Sequence, residues 1–516
     1  MRALLSVADR EGIVELARDL AALGVELVAT EGTRDHLSAA GVASAPLTDL
    51  TGTPSLAGGQ VRTLHPAIHA GILARRDRPE ELEELAAAGI GLIDVVVVNM
   101  RPFAAAVGSR VVPMEEAVGM MDTAGPALLA AAARSHYAVA AVAHPRHYAG
   151  IVEEIRDRGV VSAETRRRLA ADAFAIVAAY HAEIAAYLNR VSGETFPSHL
   201  SIVLEKVGDL PYGENPHQGG AVYRETTHRN GTLADARRLG GRLPTFNDLL
   251  DLDAAYRIAS DFAAPTAVIV RHTDPVGIAS ADDIVEAYRN ALQVDPVSSF
   301  GSIVGLNREV DGPTAREIVL NHFEAVVAPG YADAALAILA QSPELEILAV
   351  PPNPLDGPPD YGIAALDLKR ISGGALLETR DDDAGLDRSQ LRVVTRRRPT
   401  REELTDLLFA WRAVRNVRSN AIVIARDRVT VGIGAAQVSR LAAVEIAVHR
   451  AGERTRHAIL ASDAYFPFPD AIALAAQAGI TAVIQPGGSI RDETAIEVAD
   501  RNHLAMVFTG RRHFRH

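Results

Sequence analysis

The chain has 516 residues, enough for about three domains, and its 48% hydrophobic and 23% charged content is that of an ordinary globular protein. A formal net charge of −13 excludes a general nucleic-acid binder, because no basic excess exists to neutralise phosphates. The absence of cysteine excludes disulfides, thiolate nucleophiles and thiolate-bound zinc. The start, MRALLSVADR, reads as a strand with charges close behind it rather than a signal peptide. No apolar run approaches membrane-spanning length, so a cytoplasmic protein without membrane contact is expected. Lysine occurs only at Lys206 and Lys369, leaving arginine to supply nearly all the positive charge.

In chain order, residues 3–7 predict a strand, 12–23 a helix, 26–30 a strand and 33–40 a helix stopped by Gly41. Such alternation indicates a parallel sheet whose ligands sit beyond the carboxyl ends of its strands. Thr30-Glu31-Gly32-Thr33 lies at one such end and offers the N–H groups, hydroxyls and helix start that a phosphate needs, although a capped turn has the same pattern. Gly59 to Pro66 is a loop leading into Ile68-His69, and residues 94–100 form a central apolar strand. His65 and His69 stand four apart without a third metal ligand and read as surface histidines. Asp122, before Gly125-Pro126, reads as a helix cap ahead of a catalytic base. An alanine-rich helix then ends at Arg134-Ser135-His136, a strand spans 137–143, and 162–191 is strongly helical.

A boundary falls at 193–200, where Gly, Pro and Ser cluster before a strand at 201–205. Residues 267–270 form a buried strand delivering Arg271 and His272 to its carboxyl end, followed by a Pro/Gly turn. This sets a proton carrier beside a fixed positive charge on rigid support. Pro351 to Tyr361 reads as a surface loop, and no repeat of solenoid period is visible. The pairs Gly432-x-Gly434 and Gly487-Gly488 lack the rest of a dinucleotide fingerprint and read as tight turns.

Several stretches, in order, resemble one family from Leu5 to the last residue. They are Thr63-Leu64-His65-Pro66, Tyr212 to Gln218, His272-x-x-Pro275, Asp295 to Gly301, Ser419-Asn420-Ala421, Ala461-Ser462-Asp463-Ala464, Gln485 to Ser489 and Phe508-Thr509-Gly510. The family is the bifunctional purine-biosynthesis enzymes that join aminoimidazole carboxamide ribotide (AICAR) formyltransferase to inosine monophosphate (IMP) cyclohydrolase. The resemblance implies an α/β protein with a methylglyoxal-synthase-like, doubly wound domain over 1–195. It further implies a formyltransferase region of two cytidine-deaminase-like subdomains without zinc, 200–360 and 361–516, in a homodimer with formyltransferase sites between subunits. The implied cosubstrate is 10-formyltetrahydrofolate, with no catalytic metal.

By the same resemblance, His272 accepts the proton of the attacking amine, Arg271 steadies the oxyanion and Asn420 completes the centre. Tyr212, Gly301, Glu324 and Arg440 match positions for the ribotide; Tyr465, Ser489, Ile490 and Arg512 match positions for the folate. For ring closure the matching residues are Asp122, Arg134 and Arg62, with Arg10, Thr30, Gly32, Thr33, Thr63 and Asn99 around the substrate. The chain departs from the family at Arg271, Arg62 and Arg134, which stand in place of lysines, and at Pro211 and Gln60, in place of arginines. Further departures are Asp274 for asparagine, Arg101 for tyrosine, Ala124 for glycine, and Ala8 and Arg10 in the first loop. Three functions follow: formyl transfer to AICAR with closure to IMP; a paralogue of specialised purine-analogue biosynthesis with an altered azole ribotide or lost ring closure; or a silent nucleotide-binding regulator. The presence of His272 and the folate positions counts against the last.

Overall fold

The computed structural model describes residues 1–54, 56–108, 112–226, 231–351, 366–381 and 388–516. The predicted loop from Pro351 to Tyr361 falls, after its first residue, outside them. The chain divides into two compact units after Val203.

In the first unit, β1 (Arg2–Val7), β2 (Glu26–Ala29), β3 (Ala45–Pro46), β4 (Val95–Asn99) and β5 (Ala140–Val142) form a parallel sheet in the order β3-β2-β1-β4-β5. Helices α1 (Ile13–Ala22), α2 (Glu31–Ala39), α3 (Pro66–Leu73), α4 (Ala124–Arg134) and α5 (Ala163–Val191) surround it. β4 is apolar along its length because both of its faces are covered. Val95 and Val97 pack with Leu5, Ile13 and Leu20, while Val96 and Val98 pack with Leu4, Ile68 and Leu128. The strand predicted at 137–143 is shorter, because Ala138 and Val139 donate back to the Ser135 carbonyl in the turn out of α4. Against expectation, α5 contains an 18-residue stretch apolar enough, by length and composition, to cross a membrane. Part of that apolar surface serves its own unit: Leu169, Ala170 and Ala173 join the sheet clusters, and Tyr187 meets Phe103 edge to face.

The second unit is built on one 12-stranded sheet, β16-β21-β20-β19-β17-β18-β10-β9-β11-β12-β13-β8. Its elements begin with the ribbon β6 (Leu204–Leu210) and β7 (Gly220–Glu225), then β8 (Arg237–Gly240) and α6 (Phe246–Ser260). The chain continues through β9 (Thr266–Arg271), β10 (Asp274–Ser280), α7 (Ile284–Leu292), β11 (Ser302–Leu306), β12 (Phe323–Ala328) and β13 (Glu346–Ala349). A second ribbon, β14 (Leu366–Ile371) and β15 (Gly374–Thr379), precedes β16 (Arg392–Val393), α8 (Arg401–Arg415), β17 (Ile422–Arg426) and β18 (Val429–Gly434). Last come α9 (Arg440–Ala451), β19 (Ile459–Ser462), β20 (Ala482–Gln485) and β21 (Ala505–Phe508).

This sheet contains an internal repeat. Each half runs helix, antiparallel hairpin, helix and then three parallel strands, and the halves meet where β10 pairs antiparallel with β18. The correspondence reaches single residues. Capping boxes Thr245/Asp248 and Thr400/Glu403 start α6 and α8. Alternate strand residues divide between two faces: Val268 and Val270 point to a core shared by α6 and α8, Ala267 and Ile269 to the core on the other face. Gly277 and Gly432 let α7 and α9 approach equally closely, since a Cβ there would lie 2.3 Å from the Ala291 carbonyl oxygen and 2.1 Å from that of Ala447. Backbone atoms cannot move aside as a side chain can. Gly432→Ala is therefore expected to destabilise the protein by about 1–3 kcal/mol, the usual range for overpacking, measured by denaturant unfolding.

Candidate active sites

His272 and Thr273 are the two central residues of the β9–β10 hairpin, with φ of 56° and 63°. The expected Pro/Gly turn is instead the start of β10, where a bulge between Pro275 and Gly277 accommodates a residue that has no N–H to donate. Left-handed backbone at two non-glycine residues costs about 1–3 kcal/mol each. Asp251 of α6 offsets this by accepting from both N–H groups, at 2.9 Å from His272 and 2.5 Å from Thr273. Burial pushes the Asp251 carboxyl up, and these two hydrogen bonds only partly restrain it. On the other side Arg418 donates to the Asp274 carboxylate at 2.7 Å and to the His272 carbonyl at 3.2 Å. The aspartate in place of asparagine thus gains an arginine partner. An exposed imidazole is carried on a backbone held from both sides.

The same Asp-clamped turn recurs in the second half, where Asp406 accepts from Asp427 and Arg428, both also at positive φ. There the imidazole is replaced by a carboxylate.

Around His272 stand the neighbours that the sheet order brings to the same end of the strands. Arg271 donates to the Phe300 carbonyl at 2.9 Å, which leaves other guanidinium N–H groups for a ligand. Gly301, at φ 67°, donates to the His322 carbonyl, and a Cβ on it would lie 3.8 Å from Glu324 Oε1. Arg242 bridges Glu324 at 2.8 Å and Asp248 at 2.6 Å. Burial would raise the Asp248 carboxyl, but hydrogen bonds from Arg242 and Thr245 outweigh it and hold the group below the ordinary carboxylate range. Tyr212 opens a turn closed by Gly213 N–H to the Gln218 carbonyl at 2.7 Å and tied to α6 through Asn247 and the Glu214 carbonyl.

At this end the other half of the sheet carries Asn420, whose amide donates to the Gln437 carbonyl at 2.8 Å. Arg440, matched to a ribotide position, is only 6% exposed. Its guanidinium is ion-paired with the fully buried Asp463 and donates to the Ala421 carbonyl. Asp463 also accepts from Ser419. Arg440 therefore braces this end from inside. Tyr465 and Ile490 are exposed, Ser489 Oγ accepts from Arg491 N–H, and Arg512 lies over the Phe514 ring at 4.6 Å. These folate-matched residues form open surface beyond β19, β20 and β21.

In the first unit the carboxyl ends of β1, β2 and β4 carry the other site. Asn99 accepts from Ala8 and Asp9 N–H at 2.6 and 2.8 Å and donates to the Asp9 carbonyl, fixing the loop that holds Arg10. Thr30 and Thr33 are buried, and Thr33 Oγ1 accepts from Val7 N–H at 3.1 Å. Their hydroxyls bond each other and the end of β1, which leaves the backbone N–H groups of Gly32 and Thr33 at the start of α2. Thr63 is buried and accepts from the His69 ring. His65 caps α3 through Nδ1, and His69 is half-buried with an unpartnered Nε2. Neither is the surface histidine expected. Asp122 accepts from Gly125 N–H at 2.9 Å, and its own N–H donates to Tyr180 Oη. Its carboxylate thus bonds a first-turn N–H of α4 from the residue before the N-cap, Thr123. Arg62 is half-buried nearby in sequence, ahead of Thr63.

Arg134 does not join this group. It is exposed at the last position of α4, whose 11 residues span about 16 Å from the Asp122 end. Among the described residues, no group of three or more His, Asp or Glu side chains is arranged to hold a metal. Asp251, Arg242, Arg418 and Asp463 were not singled out by sequence reasoning as site residues, because each acts through a partner distant in sequence.

Comparison with known proteins matches residues 132–450 to the AICARFT/IMPCHase bienzyme family and residues 12–126 to the MGS-like domain. The bifunctional purine biosynthesis protein PurH of Halalkalibacterium halodurans is 43% identical over 515 residues, covering 100% of this chain and 99% of the relative. The chain belongs to the AICARFT/IMPCHase bienzyme family. Within it, PurH of Sorangium cellulosum is 45% identical over 526 residues, again covering 100% of this chain and 99% of the relative. Among solved structures, ForH is 34% identical over 36% of this chain and 97% of its own, with a TM-score of 0.32, too low to bear on the arrangement described. The MGS-like match falls within the five-stranded unit, as the methylglyoxal-synthase-like reading expects.

Proposed function

We propose that this protein is a bifunctional purine-biosynthesis enzyme that formylates AICAR from 10-formyltetrahydrofolate and closes the product to IMP. The observation that carries the reading is the His272 turn: an exposed imidazole, locked in place, at the end of the strands that also bears Gly301, Glu324 and Asn420. Full-length identity to the PurH proteins of Halalkalibacterium halodurans and Sorangium cellulosum supports both halves of the reaction.

Formyl transfer begins with attack of a weakly nucleophilic aromatic amine on the N10-formyl carbon. His272 takes the amine proton as the carbon–nitrogen bond forms, and the free N–H groups of Arg271 face the developing oxyanion. Collapse breaks the bond to N10 of the folate, and the imidazolium returns its proton to that nitrogen. An arginine suits electrostatic stabilisation but not proton exchange near neutrality, so the proton traffic falls to His272 alone. Ring closure then joins the carboxamide nitrogen to the same formyl carbon and expels water, with Asp122 as the carboxylate beside the Thr63 and Asn99 loops. The homodimer and the folate positions belong to this reading as well.

Incubation with AICAR and 10-formyltetrahydrofolate, following folate absorbance and IMP separately, tests it. Coupled appearance of tetrahydrofolate and IMP is expected; folate turnover without IMP would leave only the first reaction, and no turnover with nucleotide bound would favour the silent regulator. A further expected result concerns Asp122→Asn, which lowers ring closure and leaves formyl transfer intact. Equal loss of both activities would contradict the division of labour between the two units.

A further inference from the structure

The end of the sheet that carries Glu324 hides a carboxyl group that no step above uses. Glu346 opens β13, paired with Ala325 of β12 and so adjacent to Glu324 in the ladder. With Ala325 and Leu348 it points toward the core face under α6. Its exposure is 0%, and neither carboxyl oxygen has a hydrogen-bond partner. The charged groups facing it are Asp248 in the first turn of α6, Arg242 in the loop between β8 and α6, and Arg238 on β8. The Gly241 backbone packs against it from the same loop. Burial pushes the Glu346 carboxyl up to about 8, with the charge of Asp248 adding to it and the two arginines opposing only in part. Near neutrality it is an uncharged acid.

Two carboxylates already share Arg242, at 2.6 and 2.8 Å. Arg238 is exposed and donates to the Gly241 carbonyl, whereas the Arg242 side chain is only 25% exposed and is the stronger of the two opposing charges, so a buried charge on Glu346 competes with Asp248 and Glu324 for it. We propose that Glu346 is a positioning residue. As a neutral acid it leaves Arg242 clamping Glu324; as a carboxylate it draws Arg242 inward, frees Glu324 and weakens the hold on the ribotide. The inference rests on the reading of Glu324 as a ribotide-binding acid.

Two measurements on the full chain test it. The first is calorimetric AICAR binding between about pH 6.5 and 9.5, spanning the range in which this carboxyl titrates. The wild-type dissociation constant is expected to rise about fivefold across that range, a modest share of the interaction between two charges at partly buried separation, with proton uptake on binding at its alkaline end. Glu346→Gln is expected to lose both the rise and the proton uptake.

The second measurement is ligand-free melting. A carboxyl raised by folding takes up a proton that the unfolded chain has released, so its contribution to stability falls as pH rises from the ordinary carboxylate range to about 8. The melting temperature of Glu346→Gln minus that of wild type should widen over that window and then level off. Should Glu346→Gln not fold, Glu346→Met keeps the length without the acid. A difference that does not widen overturns the buried neutral acid. Wild-type affinity that stays flat while the melting difference widens overturns the positioning role alone. No AICAR binding at any pH overturns the proposed function, and this inference with it.

Discussion

His272→Ala is expected to lower folate-coupled formyl transfer by about two orders of magnitude or more, the usual contribution of a positioned general base. The loss should appear without unfolding. The bonds that fix the turn run from Asp251 to the backbone N–H groups and from Arg418 to the carbonyl, and none uses the ring. The variant should also keep its ring closure when supplied with the already formylated ribotide, because that site lies in the five-stranded unit. Steady-state rates with the two substrates check this directly. Turnover unchanged from AICAR would remove His272 from the catalytic role.

Asp463→Ala is expected to cost about 3–5 kcal/mol of unfolding free energy, as when one partner of a buried pair is left uncompensated. Arg440 then keeps its charge in a pocket 6% exposed, with Nε already lacking a partner and only the Ala421 carbonyl to receive a bond. Ser419 loses its acceptor in the same change, so the segment bearing Asn420 loosens too. Denaturant unfolding measures the loss. Replacing both residues by apolar ones of similar volume should cost less than either single truncation. If Asp463→Ala were neutral, Arg440 would be reaching solvent or ligand by another route, and the ribotide contact implied by resemblance would regain its force.

Much of the fold is legible from apolar patterning. The strands β1, β4 and β9 are short apolar runs, and the last of them delivers Arg271 and His272 as expected. The hairpin turn is not legible in the same way. Proline and glycine suggested a turn at 275–277, yet the antiparallel register puts it at His272-Thr273, where Asp251 supplies the hydrogen bonds that make two positive-φ residues tolerable. The two like subdomains were implied by resemblance, but their residue-by-residue correspondence is hidden because the halves share spacing rather than side chains: His272-Thr273 corresponds to Asp427-Arg428. The visible signals were the capping boxes at Thr245 and Thr400, each followed six residues later by a clamping aspartate.

Arg440 and Arg134 illustrate two different limits. A solitary arginine at a helix start looks like a free cation until β19 lies beside β17 and delivers Asp463. Arg134, in contrast, was open to simple arithmetic. Asp122 lies just before an eleven-residue helix and Arg134 is its last residue, so a single unit cannot bring both to the same end of it.

The most direct measurement supplies 10-formyltetrahydrofolate labelled with carbon-13 at the formyl group, together with AICAR, and reads the product by NMR. The account predicts that the label moves intact to the ribotide amine and ends as the ring carbon closed between two nitrogens in IMP. Label released as free formate, or left on the folate while AICAR stays bound, would contradict it.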